Sequence, residues 1–272
     1  MSNNFIQVPT LSVPRWPRCV LALLLIVYSD AGAAAAVCPK PARSTTPVRL
    51  LIVTGGHDYE PVEFFRAFDG MKNVRYDHVM ITERGHIGAV PVGGLHSYDV
   101  VLFYDEEESK AITEEWKGLL TRGTGLVFLH HSLGSFPGSP EYKSIVGGHA
   151  NFDDEKYPGV PSSRADDNVR QHFSIIDHAH PITCDSKDFD AVDEPYGDVD
   201  IDPGTHALLK SDYVGGMPLL AWTWAYEGKR VFYLQMGHGS LGLPQDHGPT
   251  AYQNASFLHL LSRGILWAAG RL

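Results

Sequence analysis

Imidazole accepts or donates a proton near neutral pH and binds soft divalent ions, so the distribution of histidine is where chemistry can first be sought. The chain has 14 histidines in 272 residues, and three groups of them stand in glycine-framed turns directly after apolar runs. The first is Gly55-Gly56-His57-Asp58-Tyr59, the second His130-His131-Ser132-Leu133-Gly134, and the third Gln235-Met236-Gly237-His238-Gly239. Glycine lets a backbone turn sharply and approach a ligand. A fourth segment, Asp193-Glu194-Pro195-Tyr196, adds a carboxylate.

Neutral imidazoles with one carboxylate suit a divalent ion, zinc favoured, with a coordination position left open for water or substrate. The expected ligands are His57, His131, Glu194 and His238. Such an ion would lower the pKa of a bound water or polarise a carbonyl. The same set, His57, Asp58, His130, His131, Glu194 and His238, can instead work without metal as acids and bases in isomerisation, elimination or hydrolysis. Gly56, Tyr59, Ser132, His149 and Tyr196 are the candidate substrate contacts. Adjacent residues of a strand point to opposite faces, so one of His130 and His131 is expected to enter the site and the other to support it.

Plainer readings stand beside these. His57 in a strand-to-helix turn can be a surface residue, and the acidic segment around Glu194, taken alone, reads as a solvated turn. Trp222 and Trp224 are better explained by packing within a hairpin than by stacking on sugar rings. Ser132 lacks the GxSxG frame of a nucleophile elbow, which makes a serine hydrolase the third choice behind a His/Glu enzyme and a non-catalytic carbohydrate-binding or sensing module. The Gly55-Gly56 turn has neither the Lys-Ser/Thr of a phosphate-binding loop nor the spacing of a dinucleotide fingerprint.

The elements that must position these turns alternate. Val48–Thr54 reads as a buried parallel strand, Pro61–Met71 as a helix, and Val74–Ile81 and Asp99–Tyr104 as further strands. A helix capped by Thr113 runs to Thr121, Gly125–Leu129 is a fourth strand, and a short helix includes Glu141–Val146. Gly147–Asn168 is polar and loop-rich, Val169–Ile176 alternates like a strand, and Asp185–Pro203 is acidic and turn-rich. Leu219–Tyr226 and Arg230–Gln235 flank Glu227-Gly228-Lys229 as a hairpin. A last helix runs from a cap near Asn254 to Ala269. The pattern implies an α/β fold: a flavodoxin-like, doubly wound, mostly parallel sheet with an added antiparallel hairpin. The histidine turns then lie at strand ends, where such folds keep their sites.

Composition narrows the partners. With 43% hydrophobic residues the chain can bury a full core, and its net charge of −10 without any basic stripe argues against nucleic acid. Residues 1–37 read as an export signal: Arg15 and Arg18 precede the apolar run Cys19–Tyr28, and small residues follow at Ala31–Ala36. That run is too short to span a bilayer unaided, so after cleavage the mature domain, residues 38–272, is expected outside the cytoplasm with no stable membrane insertion. Val37 stands where lipoprotein processing requires a small residue. Cleavage leaves Cys38 and Cys184, which can pair in an oxidising compartment if their Cα atoms approach, a point the sequence leaves open.

Several segments together resemble the ThuA-like family, called after a trehalose-utilisation protein. They are VTGGHDYEP at Val53–Pro61, YDVVLFYD at Tyr98–Asp105, GLVFLHHSLGSFPGSPEYKSIVGG at Gly125–Gly148, and the later DHAHPIT, DEPYGD, PLLAWTWAYEGKRVFYLQMGH and RGILWAAG. The resemblance spans Arg49–Gly270. It implies a variant of the class I glutamine-amidotransferase-like fold, without the amidotransferase reaction, because His130-His131 stands where that reaction's cysteine would. It also implies a role in the catabolism of disaccharides and their keto-sugar forms. Asp193-Glu194-Pro195-Tyr196 matches a family motif usually read Asp-Glu-Leu-Tyr, with Pro195 as a departure.

Overall fold

The computed structural model describes residues 38–40, 46–82, 98–109, 111–238 and 251–272. The expected export signal lies outside them. Residues Ala36–Leu272 form one compact unit.

The first half of the chain alternates: β1 (Val48–Gly55), α1 (Pro61–Asp69), β2 (Val74–Met80), β3 (Val100–Asp105), α2 (Glu114–Leu120), β4 (Gly125–Leu129) and α3 (Pro140–Val146). The second half adds β5 (Val169–Ile175), β6 (Phe189–Asp193), β7 (His206–Ser211), β8 (Ala221–Tyr226), β9 (Lys229–Leu234) and α4 (Ala255–Ala268). These nine strands form one sheet in the order β2-β1-β3-β4-β9-β8-β7-β5-β6. β2, β1, β3, β4 and β9 run parallel. Every residue of β3 and of β4 is buried, as the apolar runs Val100–Tyr104 and Gly125–Leu129 require of strands covered on both faces.

Local chemistry sets the helix ends. Thr113 caps α2 by accepting a hydrogen bond from Trp116 N at 3.1 Å, and Asn254 caps α4 by accepting from Ser256 N and Phe257 N at 2.9 and 3.1 Å. Pro140 stands in the first turn of α3, and Gly147 closes it in the left-handed conformation at φ 81°. Trp222 is fully buried, stacks on Tyr233 with centroids 4.1 Å apart and donates to Val146 O at 2.9 Å, so it belongs to the core.

From β9 onward the sheet is antiparallel: β9–β8, β8–β7, β7–β5 and β5–β6. The extension is larger than the single hairpin the sequence indicates. Two of its strands, β6 (FDAVD) and β7 (HALLKS), lie in segments whose polarity and length give no strand signal. Four successive reversals leave the edge strand β6 pointing the same way as β9. Its last residue, Asp193, therefore ends at the same edge of the sheet as Gly55, Leu129 and Leu234. Cys38 and Cys184 are joined in a disulfide with Cα atoms 5.4 Å apart, which ties the segment before β1 to the loop after β5.

Candidate functional site

The carboxyl ends of β1, β4, β6 and β9 deliver the four sequence segments to one place. Each delivery has a backbone device. After β1 the chain turns through Gly55 and Gly56, both at positive φ (133° and 78°). A Cβ at Gly56 would lie 1.8 Å from Glu106 O, so the glycine is required for close approach to the residue that follows β3. After β4, His130–Gly134 forms a 3₁₀ turn, not a strand extension, and His130 itself is left-handed at φ 51°. The two neighbouring histidines therefore do not alternate across a sheet; their rings lie 5.6 Å apart at 76°. After β9, the buried Asp193 carboxylate accepts from Gly237 N at 2.9 Å and from His238 N at 3.2 Å, while Tyr104 and Tyr252 donate to Gly237 O at 2.8 and 2.7 Å.

His130 is fully buried, and its contacts fix its tautomer. Nδ1 lies 2.6 Å from Gln235 O, a pure acceptor, so Nδ1 carries a proton and Nε2 is the nitrogen that faces the cluster. That Nε2 lies 3.1 Å from Glu194 Oε2 and 3.2 Å from His238 Nδ1, and the last two atoms are 3.2 Å apart. Tyr196, buried, sets its hydroxyl 2.9 Å from the same Nε2. Three ligand atoms thus form a nearly equilateral triangle. Ligands at about 2.0–2.1 Å from a tetrahedral ion are separated by about 1.63 times that length, or about 3.3–3.4 Å. The triangle fits one face of such a set. The Gln235 carbonyl behind Nδ1 is the usual outer partner of a metal-bound imidazole.

The two other histidines of the cluster are placed differently. His131 packs beneath the triangle: its ring lies 4.1 Å from Tyr104 and stacks on His57 at 4.5 Å, and its Nε2 is 3.3 Å from Tyr104 O. Its Nδ1 is buried with no hydrogen-bond partner among the described residues. The sequence expectation of His131 as a ligand is therefore corrected to His130, the residue whose left-handed backbone turns its ring inward. His57 reaches the cluster, 6.2 Å from His238 between ring centroids, yet its nitrogens stand outside the triangle. Its Nδ1 lies 2.6 Å from Asp58 O, which puts the proton there and leaves Nε2 as a free lone pair. One side of the His57 ring is exposed and the other is covered by His131.

Electrostatics sort these groups. Burial would raise the Glu194 carboxyl, but hydrogen bonds from His130 and His238 outweigh it and hold the group well below the usual carboxylate range. Burial pulls His238 down, but the Glu194 charge beside it prevails and the net shift is upward. His57 is lowered by partial burial and by the charges of His130 and His238, and His131 is lowered strongly by burial and the same neighbours. The site thus pairs an ionised carboxylate with a histidine that holds its proton and a second histidine, His57, that stays neutral.

The remaining candidates are resolved individually. Asp58 is exposed at the rim. Tyr59 packs edge-on to Phe64 and Tyr104 at 5.3 and 5.6 Å and donates to Thr54 Oγ1 at 3.3 Å, so it supports the β1 turn. Ser132 is fully buried and, among the described residues, its Oγ has no hydrogen-bond partner and no histidine placed to activate it. His149 is buried away from the cluster, accepts from Gly138 N at 3.1 Å, and lines a separate cavity of about 400 Å³ beside Lys143 and Asp200. Sequence reasoning passed over Gln235, Tyr104 and Asp193, which set the geometry through backbone contacts that carry no sequence signature. It also passed over Glu106, hidden in the run Asp105–Glu108.

The model of the ThuA family, described as trehalose utilisation, matches residues 49–268. Among solved structures, a ThuA-like protein from Parabacteroides merdae aligns with a TM-score of 0.61 and 18% identity, covering 84% of this chain and 92% of that one. A cytoplasmic protein of Salmonella typhimurium aligns with a TM-score of 0.55 and 8% identity over 80% of this chain and 98% of its own. A second cytoplasmic protein, from Salmonella typhimurium LT2, aligns at 0.52 and 10% identity over 80% and 99%. At these identities the likeness is one of fold. No curated protein matches the sequence. With its family model matched over nearly the whole of the described domain, the chain belongs to the ThuA family.

Proposed function

We propose that the chain is an exported hydrolase of carbohydrate catabolism, acting on a disaccharide or keto-sugar at the centre formed by His130, Glu194 and His238. The observation that carries this reading is the triangle of ligand atoms, 3.1–3.2 Å on each side, at the carboxyl edge of the sheet. Two imidazoles and a carboxylate fit a divalent cation, zinc favoured, which when bound supplies Lewis acidity to a carbonyl or a water. The residues of the chain do the rest. Gln235 O fixes the His130 tautomer, Asp193 holds the turn that carries His238, and Tyr196 orients the inner ring. His57 offers its free Nε2 as a neutral base at the rim. Membership of the trehalose-utilisation family supports the carbohydrate class. The Cys38–Cys184 disulfide supports export, because such bonds persist in oxidising compartments.

The test is elemental analysis of purified wild type and of His130→Ala, Glu194→Gln and His238→Ala, together with turnover of a panel of 3-keto-disaccharides before and after chelation. One equivalent of metal in the wild type, lost in each variant along with turnover, is the expected result. Turnover that survives complete metal removal would replace the cation with acid–base chemistry at the same residues. Sugar binding without turnover by the metal-loaded protein would make the chain a carbohydrate-binding module.

A further inference from the structure

Beside the histidine cluster lies a cavity of about 250 Å³, lined by the Gly55-Gly56 turn, by Ile81 and Thr82, and by the acidic run Asp105–Glu108. Three of the four acids have partners. Asp105 accepts from Trp116 Nε1 at 3.1 Å, Glu107 accepts from Ser109 N at 3.0 Å, and Glu108 pairs with Lys156. The Glu106 carboxyl has neither a hydrogen-bond donor nor an ion-pair partner among the described residues.

Its position connects it to the centre. Glu106 follows the last residue of β3, and its N–H donates to Gly55 O at 2.9 Å, which locks it beside the β1 turn that leads to His57. Its Oε1 lies over Gly134, in the turn that carries His130, so close that a Cβ on Gly134 would stand 2.9 Å away. The Phe152 ring covers the same glycine and packs on Tyr196 at 4.6 Å, and Tyr196 reaches His130. An unpartnered carboxyl that lines a cavity and borders a catalytic cluster is placed for a ligand.

We propose that Glu106 is the acid of the reaction, giving its proton to the departing oxygen of an uncharged sugar seated in this cavity. This assignment rests on the hydrolase reading above. As the C–O bond breaks, both its electrons stay on the oxygen, which takes the Glu106 proton. The carbon receives the hydroxyl of a water molecule, whose remaining proton goes to His57 Nε2. Exchange with solvent then returns a proton to Glu106 and removes one from His57. Among the described residues four acids and no Lys, Arg or His line the cavity, and the ionised ones, Glu107 and Glu108, disfavour phosphate and carboxylate groups, so an uncharged sugar is the proposed occupant.

The environment keeps the proton in place. Burial, then the charges of Glu108, Glu194 and Asp105, push Glu106 up to about 8, and Lys156 only partly offsets them. The hydroxyls of Tyr142 and Tyr196 face the same charge. Glu194, by contrast, is held ionised by His130 and His238. Two carboxyls whose environments push them apart are the pattern of an acid beside an ionised group.

The experiment labels the full-length folded protein with dicyclohexylcarbodiimide, which attacks protonated carboxyls, and maps the adduct by peptide mass spectrometry. At pH 7 a carboxyl titrating at about 8 is protonated roughly 300-fold more than one at 4.5. Asp105 is also raised, to about 7, but is wholly buried under Trp116, so Glu106 is the expected site of labelling, fading above pH 8 and absent in Glu106→Gln. In parallel, Glu106→Gln is expected to lower kcat on a turned-over keto-disaccharide by about 10²–10⁴-fold with little change in KM, and to remove the alkaline limb of the pH profile. Unlabelled Glu106, or wild-type turnover in a folded Glu106→Gln, overturns the assignment. A wild type that turns over no keto-disaccharide while Glu106 still labels overturns the hydrolase reading and leaves the protonated carboxyl standing.

Discussion

His130 and His131 are neighbours in sequence and both buried, yet only His130 belongs to the ligand triangle. Zinc should therefore stabilise His131→Ala and fail to stabilise His130→Ala. A ligand at 100 times its Kd adds about 2.7 kcal/mol to the folded state. A domain of this size gains about 2–4 °C in Tm per kcal/mol, so the wild type should rise by about 5–11 °C. His131→Ala starts from a lower baseline, because it empties the space between Tyr104 and His57, but should show a rise of similar size. His130→Ala, Glu194→Ala and His238→Ala each remove one corner of a triangle 3.1–3.2 Å on a side and should show almost none. The response should also weaken from pH 8 to pH 6, since the cation must displace the proton that Glu194 holds on His238. The assay is circular-dichroism melting at graded zinc concentrations, with metal content measured on the same samples. A zinc response lost in His131→Ala and retained in His130→Ala would refute the geometry outright.

Other expectations follow from the same contacts. Glu194 is held below its unfolded value of 4.5, so its contribution to stability is present above that pH and is lost as pH falls beneath it. His238 is raised above 6.5, so its contribution is present below 6.5 and is lost as pH rises through its folded value. Metal-free protein should then melt highest between about pH 4.5 and 6.5, and Glu194→Gln should flatten both limbs; equal curvature in that variant counts against the pair. Cys184→Ser opens a disulfide spanning 146 residues and should cost about 4–5 kcal/mol, read as a lower denaturation midpoint that matches wild type under reductant. An unchanged midpoint would mean the bond does not form. Ser132→Ala removes a buried hydroxyl that has no partner and should leave both Tm and turnover near wild type, whereas a large loss of turnover would revive the serine nucleophile.

Much of the fold was legible because its core is built from one strong signal. β1, β3 and β4 are near-continuous apolar runs, which is how a strand buried on both faces is written. The helix ends were legible at Thr113 and Asn254 because a capping oxygen is a local property. β6 and β7 were not legible. The edge strand β6 carries Asp190 and Asp193, and β7 carries Lys210 on a partly exposed face, so neither shows the alternation of a half-buried strand. The glycine-framed histidine turns were visible as a group, but the choice between His130 and His131 depends on one left-handed residue, which the sequence does not announce at a histidine. Glu106 was invisible for another reason: within the run Asp105–Glu108 nothing in the sequence tells one carboxylate from the next, and only the closure of Gly134 and Gly56 around it sets it apart.

The antiparallel extension explains why the centre contains a carboxylate at all. The five parallel strands present His57, His130 and His238 at their carboxyl ends, together with Glu106, and could form a histidine cluster without help. Glu194 and Tyr196 come from beyond β6, four strands away from β9 in the sheet. They reach His130 only because the number of reversals is even and because Asp193 hydrogen-bonds the backbone of Gly237 and His238, pinning the edge strand to the turn after β9. Asp193 is wholly buried and its carboxyl is raised by that burial against the pull of His130 and three backbone donors, so it holds this junction at an energetic cost. Such a cost is reasonable where the junction sets the spacing of Glu194 from two imidazoles. The same strand therefore couples the ligand triangle to the integrity of the sheet's far edge. A substitution that loosens β6, such as Asp193→Asn, should weaken zinc binding through geometry alone, although it touches no ligand atom.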